Sequence, residues 1–432
     1  MIRGLVLLVV SAFVVQASDQ RVALDPEFAK VPFDQWLGER DQAHFHWSLA
    51  APHAALSFHQ RFAGRVEIKV DGKDLDSRRG DGRLMFLLQI TDGDGTRYQD
   101  HGSLELNKLG ENIKASNVEY SQGVFLLPGE YRLAVAILDT ATGEHSTHQA
   151  PFKVPAPHEF LLDAWRDLPP VEYIGKAESP ESWYLPDIRG RLQWAASVHS
   201  PARLNVILNV DTSEPTSGLH PNRAAPSSGL AALLPTLKAI SETGSSSISE
   251  QVELLDLARR RAVFRQDDVH ELDWPRLKPA LGGANTASID VHTLSERHHD
   301  AQFFVSQVRS LLRASEKPSV LVVLTQPVGF ESGEDLEPIS LEALPACRVI
   351  YVRYHAPMEH PNPFDQQTRG RARGGRMGGP MGTGTMTRNR PQEVVDQLEA
   401  TLKPLSPKVF DVDAPEQVTK ALAEVLKALG TL

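Results

Sequence analysis

The sequence predicts a multidomain chain: an N-terminal all-β immunoglobulin-like sandwich followed by an α/β doubly wound domain of Rossmann type. Three observations predict it. The chain has 432 residues, 41% hydrophobic and 23% charged, which is more than one ordinary core uses and enough for two. Residues 61–154 run as short alternating or apolar stretches separated by glycine turns, the pattern of antiparallel strands. From Arg203 onward, nearly continuous apolar runs alternate with helical periods, the pattern of a buried parallel sheet.

Taken in order, Met1-Ile2-Arg3 supplies a positive start, Gly4 to Val15 an apolar run and Val15-Gln16-Ala17 a small-residue cleavage site. Residues 1–17 therefore read as a signal peptide, with Ser18 as the mature start. The apolar run falls short of the roughly 20 residues that span a bilayer, and no later run reaches that length. The mature chain is expected to be secreted or periplasmic, without a transmembrane segment. Residues 18–60 read as an extended lead-in, broken by Pro26, Pro32 and Pro52, with room for one short helix.

The sandwich is expected over residues 61–155. Its strands are Arg65 to Val70, Arg83 to Thr91, Gly102 to Leu106, Val118 to Leu127, Gly129 to Asp139 and His145 to Val154. Asp71-Gly72, Asp92-Gly93-Asp94-Gly95, Pro128-Gly129 and Thr142-Gly143 separate them, glycine supplying positive φ without a steric penalty. Residues 156–188 form a linker whose Trp165, Trp183 and Tyr184 give it apolar bulk to pack on its neighbours, and a further strand is expected from Gly190 to Ser197.

Residues 189–432 form the α/β part. Strands are expected at Arg203 to Val210, Ser319 to Thr325, Cys347 to Tyr354 and Lys408 to Val412, with a hairpin of Ser246 to Leu257 and Arg261 to Gln266. Helices are expected at Leu230 to Glu242, Trp274 to Leu281, Ser295 to Ala314, Pro391 to Leu402 and Pro415 to Leu429. A strand ending in Asp211-Thr212-Ser213, a helix, a hairpin, a Gly282-Gly283-Ala284-Asn285-Thr286 loop, a long helix and a strand ending Val322-Val323-Leu324-Thr325 follow one another. This order resembles a von Willebrand factor type A domain, over Arg189 to Leu432. With Leu127-Pro128-Gly129-Glu130-Tyr131-Arg132 ahead of it, the chain is similar to secreted bacterial proteins of the VWFA-related acidobacterial type.

The resemblance implies a metal-ion-dependent adhesion site: Asp-x-Ser-x-Ser after the first strand, a threonine from a later loop and an aspartate after the fourth strand. Here Asp211 and Ser213 match, Pro215 takes the third place, Thr286 matches the threonine with Thr293 as its competitor, and Gln326 stands where the aspartate is implied. Magnesium wants six oxygens in near-octahedral array with carboxylates among them. One carboxylate, two hydroxyls and an amide hold Mg or Mn weakly, so the metal site of Asp211, Ser213 and Thr286 is expected to be vestigial, with Asp211 capping loop N–H groups. No cofactor is expected.

Catalytic signatures are missing. No Gly-x-Ser-x-Gly, Gly-x4-Gly-Lys or His-Glu-x-x-His occurs, and His158-Glu159 and His270-Glu271 fail at Leu162 and Trp274. His298-His299-Asp300 reads as a solvated helix start, His44 and His46 as structural, and Asp92 to Thr96 as a hairpin turn, since a calcium loop would not place Arg97 and Ser103 at its glycine and glutamate positions. A single cysteine, Cys347, excludes an intrachain disulfide and a cysteine zinc cluster.

A net charge of −10 gives the whole chain no attraction for nucleic acid. Locally, Arg369, Arg371, Arg373, Arg376, Arg388 and Arg390 lie without an intervening acid in a Gly/Arg-rich segment at about 357–390, whose composition predicts a disordered basic loop. Lacking aromatic residues, the stretch from Arg369 to Arg390 has no platform for bases, which leaves an acidic polymer or envelope surface as its partner. The expected function is a non-enzymatic protein–protein interaction or adhesion scaffold. Its contact surface is the carboxyl-end rim of the parallel sheet, with Asp211, Ser213, Glu214, Ser217, Asn285, Thr286, Gln326 and Glu331, engaging a protein without a metal. The alternative keeps Mg or Mn at Asp211, Ser213 and Thr286. A hydrolase built from scattered His and Asp residues is the least favoured.

Overall fold

The computed structural model describes residues 25–39, 44–156, 159–175, 190–194, 201–210, 228–242, 248–284, 299–314, 317–328, 339, 346–355 and 396–432. It is a sheet-rich mixed α/β structure with three sheets. The first contains β1 (Trp47–Ala50), β2 (Ala55–Leu56), β3 (Phe62–Asp71), β6 (Asn117–Leu126) and β9 (Val171–Tyr173). The second, in the order β5-β4-β7-β8, contains β4 (Arg83–Thr91), β5 (Arg97–Glu105), β7 (Gly129–Asp139) and β8 (His145–Val154). All pairings in both are antiparallel.

The period of two decides which face is inside. Val66, Ile68 and Val70 of β3 are fully buried, while Arg65, Glu67 and Lys69 alternate with them. The two sheets meet across this core: Phe86 of β4 stacks on Tyr120 of β6 with centroids 4.4 Å apart, and Trp47 Nε1 of β1 donates to Ser146 Oγ of β8 at 2.8 Å. Gly102 makes the first contact possible, because a Cβ there would lie 2.3 Å from the Tyr120 ring. The turn at Asp92 forms as its residues require: Asp92 Oδ1 accepts from the N–H of Asp94 at 3.0 Å and of Thr96 at 2.8 Å, and Gly95 takes φ +85°.

β4 does not alternate, and the structure shows why. Its outer residues Met85 and Leu87 are buried under an N-terminal arm containing α1 (Phe33–Gly38), whose Phe28, Phe33 and Trp36 also cover Ala134, Ala136 and Leu138 of β7. The stretch read as an extended lead-in thus supplies this arm, β1 and β2. Two further short helices, α2 (Gly72–Ser77), capped by Asp71, and α3 (Glu159–Ala164), complete this half. Residues 190–194 join no sheet, against expectation. Gln193 N donates to Ala164 O at 2.9 Å, and Trp194 is buried by stacking on Phe160 and by donating Nε1 to Ala239 O at 2.8 Å.

The third sheet has the order β12-β11-β10-β13-β14-β15. Its strands are β10 (Ala202–Asn209), β11 (Ile248–Asp256), β12 (Arg261–Asp267), β13 (Ser319–Thr325), β14 (Cys347–Tyr354) and β15 (Lys408–Val412). Neighbours are parallel except β11 and β12, which form the expected antiparallel hairpin. Helices cover both faces, so both sets of alternating residues are apolar. Leu204, Val206, Leu208, Val322 and Ile350 share a core with α4 (Ser228–Ser241), α5 (Trp274–Ala284) and α8 (Pro415–Gly430), whereas Ile207, Leu321, Val323 and Val349 pack with α6 (Asp300–Arg313) and α7 (Gln397–Leu402). The first of these cores continues into the N-terminal half, where Phe62 and Trp165 meet at 5.5 Å.

Candidate functional site

Strand order reverses between β10 and β13, and in open α/β sheets the carboxyl ends of the strands at such a switch point are where ligands bind. Asn209 and Thr325, both buried, end the two strands. Asn209 Nδ2 donates to Thr325 Oγ1 at 3.1 Å, and Thr325 Oγ1 donates to Gln326 O at 2.8 Å, which fixes the two strand ends to each other. Gln326, half-buried, brings its side-chain amide against Gly229 in the first turn of α4. A Cβ at residue 229 would lie 2.7 Å from Gln326 Cδ and Nε2. At the place where the resemblance implies a carboxylate, the strand end therefore holds a neutral amide, which donates and accepts hydrogen bonds but carries no charge for a cation.

Of the residues expected at the rim, Gln326 is the one this geometry describes. Asp211, Ser213, Glu214, Ser217, Asn285, Thr286 and Glu331 lie outside the described residues, as do Thr293, His298 and the six arginines of the basic segment. His299 precedes α6 as its cap residue. His44 and His46 face different acids, Glu144 at 4.0 Å and Asp74 at 3.0 Å.

Along the same rim lies a charge network that the sequence did not disclose. Asp396, 5% exposed at its side chain, accepts through Oδ2 from Tyr351 Oη at 2.8 Å and Arg353 Nη1 at 3.0 Å. Its Oδ1 accepts from Leu398 N at 3.2 Å, capping α7, and from Val328 N at 3.4 Å in the segment after β13. Arg353 also reaches Glu399 Oε2 at 2.9 Å and Asp411 Oδ1 at 2.6 Å, and His355 Nε2 lies 2.8 Å from that same oxygen. The hydrogen bond from Arg353, more than its charge or that of His355, holds the Asp411 carboxyl below its ordinary range, and the bond to Asp411 in turn raises the Arg353 pKa. Burial, aided by Asp396, pushes the Tyr351 hydroxyl far above its ordinary value. These are static, charge-paired groups. Their chemistry is to hold the chain where it leaves β13 and β14 and where it starts α7. In the sequence, Asp396 falls inside the helix expected from Pro391 to Leu402, whereas the structure makes it the cap ahead of Gln397, and nothing local reveals that it also receives Arg353.

A second grouping was also missed. Asp25 of the N-terminal arm and Asp100 and His101 of β5 each bring one donor atom within 4.8 Å of the others, and His101 Nδ1 lies 2.6 Å from Asp25 Oδ2.

No family model matches the chain, and no curated protein matches it. Among solved structures, the ArnB paralog VWA2 from Sulfolobus acidocaldarius is similar at 9% identity over 69% of this chain, which spans 50% of that protein, with a TM-score of 0.26. The ApaA protein from Bordetella pertussis is similar at 16% identity over 26% of this chain and 96% of its own length, with a TM-score of 0.17. A glycosyl hydrolase family 2 member from Bacteroides cellulosilyticus is similar at 8% identity over 72% of this chain and 42% of its own, with a TM-score of 0.20. At such scores the architecture rests on this chain's own strand order. Among the described residues, no helix is long and apolar enough to cross a membrane.

Proposed function

We propose that the chain is a secreted or periplasmic, non-enzymatic scaffold that binds a protein at the carboxyl-end rim of a von Willebrand A-like sheet, without a bridging metal. The Gln326 amide seated on Gly229 at the switch point carries this reading, because a cation shared with a partner's carboxylate needs compensating charge there. The succession β10, α4, the β11–β12 hairpin, α5, α6 and β13 supports the von Willebrand A-like assignment. Two antiparallel sheets around one core support an immunoglobulin-like sandwich ahead of it. The arginines from Arg369 to Arg390, which follow β14 in the sequence, add electrostatic attraction to an acidic polymer or envelope surface.

Thermal unfolding of the chain in millimolar magnesium or manganese, against chelator and beside Asp211→Ala, tests the metal-free reading. A cation that binds only the folded state raises the midpoint in proportion to RT ln(1 + [L]/Kd). The expected result is an unchanged midpoint in both proteins. A rise that disappears in Asp211→Ala would replace this reading with metal-dependent adhesion.

A further inference from the structure

The two halves of the molecule meet at the tip of the β2–β3 hairpin, Ser57 to Arg61. Ser57 N donates to Arg61 O at 2.9 Å and Gln60 N to Ser57 O at 2.8 Å, and Gln60 takes a left-handed φ of 56°. A residue other than glycine holds that conformation where its surroundings over-determine it. Gln60 is completely buried: its Oε1 accepts from Thr419 Oγ1 at 2.7 Å, its Nε2 donates to Pro415 O at 3.1 Å, and its backbone oxygen accepts from Trp165 Nε1 at 2.8 Å. Phe58 meets the ring of Tyr354, at the end of β14, at 5.7 Å. The tip is thereby anchored in α8 and β14 of the other half.

The residues on either side of Gln60 are buried with polar atoms unused. The Arg61 side chain is 3% exposed, lies 4.5 Å over the Phe125 ring and donates Nη1 to Glu172 Oε2 at 2.6 Å. Its Nε and Nη2 are buried and have no acceptor among the described residues. Those two N–H groups share the side-on edge of the guanidinium, the fork that receives two oxygens of one oxyanion in parallel bonds. His59, whose ring stands edge-on to the same Phe125 at 5.4 Å, is also buried, with Nδ1 unpartnered among the described residues.

The charges already present balance. Arg61 is paired with Glu172 of β9, and Lys238 of α4 with Glu242 just beyond its end, while Glu242 also accepts from Leu192 N at 3.0 Å. His59 adds none: burial first, and then the charges of Lys238 and Arg61, hold its pKa down to about 3. An arriving anion would leave the junction with excess negative charge, and the imidazole is the group placed to offset one unit of it.

We propose that this junction is an oxyanion site, in which the Arg61 Nε/Nη2 fork takes a small oxyanion and His59 takes up a proton as it binds. The ligand class is a sulfate-, phosphate- or carboxylate-type anion. Its binding fastens the hairpin tip of the N-terminal half to α4 and grows tighter in mildly acidic solution.

Sulfate is the probe, because its charge is constant from about pH 5.5 to about pH 7.5, where a histidine titrates. Saturable uptake by the full chain is measured by equilibrium dialysis, and the thermal midpoint is followed in sulfate against chloride at equal ionic strength, for wild type, Arg61→Lys and His59→Gln. Expected are one sulfate per chain, bound more tightly at the lower pH, an affinity about tenfold weaker in Arg61→Lys, which keeps the charge and loses the fork, and no pH dependence in His59→Gln. Sulfate also stabilises proteins by exclusion from their surface, and that effect is common to all three proteins. A midpoint rise of equal size in all three, or no saturable uptake by wild type, overturns the proposal. If Arg61→Lys does not fold, the dialysis result and His59→Gln decide it.

Discussion

Glu250 is a carboxyl placed where charge is costly. It lies on β11 beside Ser241 of α4, is 4% exposed, and leaves its Oε1 buried without a partner among the described residues. Burial pushes its pKa from 4.5 to about 8, so the folded chain keeps a proton at neutral pH that the unfolded chain gives up. Because the folded value is the raised one, the full stability is present below about pH 4.5 and declines as pH rises toward about 8, by about 3 kcal/mol at pH 7. Glu250→Gln removes the titration. Urea unfolding at about pH 5 and about pH 8 is expected to show wild type losing stability across that interval and the variant holding level. A wild type of equal stability at both values would place Glu250 in a more polar setting. His59 tilts the other way, since a base with a lowered pKa in the fold loses stability as pH falls from its ordinary 6.5 toward about 3.

At the level of single elements, Asp396 is the clasp of the rim. Removing it as Asp396→Ala leaves Arg353 without its buried partner and uncaps α7, for which a loss of about 3 kcal/mol is expected by urea unfolding. Hydrogen exchange is expected to speed at the end of β14 and the start of α7, with the centre of β10 unaffected, and uniform acceleration would argue against a local clasp. Elements whose pattern matched their final burial were legible in the sequence. β13 and β14 read correctly because both of their faces are apolar, and β3 because one face alternates. The N-terminal arm and β9 were not, since Phe28, Phe33 and Trp36 follow no period and are buried only because Met85 and Leu87 lie beneath them. The apolar character of residues 190–194 was read as a strand, when it serves to seat Leu192 and Trp194 against a helix. The same division holds at the candidate site. Gln326 follows from its position after an apolar strand, whereas the pairing of Arg353 with Asp396 joins residues whose separation no local pattern spans.

The whole molecule carries its charge unevenly. The chain totals −10, yet Arg369 to Arg390 is a run of cations without an acid. Deleting residues 369–390 is expected to leave the thermal midpoint unchanged and to abolish retention on an anionic matrix at low ionic strength. Full-length protein should lose the same retention as salt approaches about 0.15 M, where the screening length is about 8 Å. Retention that persists in the deletion would assign the attraction to another surface. The continuous core from Phe62 and Trp165 into α4 and α8 makes the two halves mechanically one body around that rim.

The clasp also bears on how the chain can vary. Arg353 and Asp396 touch at 3.0 Å, and His355 N donates to Val412 O at 2.8 Å, so the stretch between them departs and returns at almost one spot on the sheet. For such a closed excursion, doubling its length costs only about 0.6 kcal/mol in chain entropy. The spot is therefore a permissive graft point as far as chain entropy goes: a longer insertion there costs the sheet below little. Evolution, or an engineer, can therefore exchange what the rim displays without renegotiating the fold that carries it.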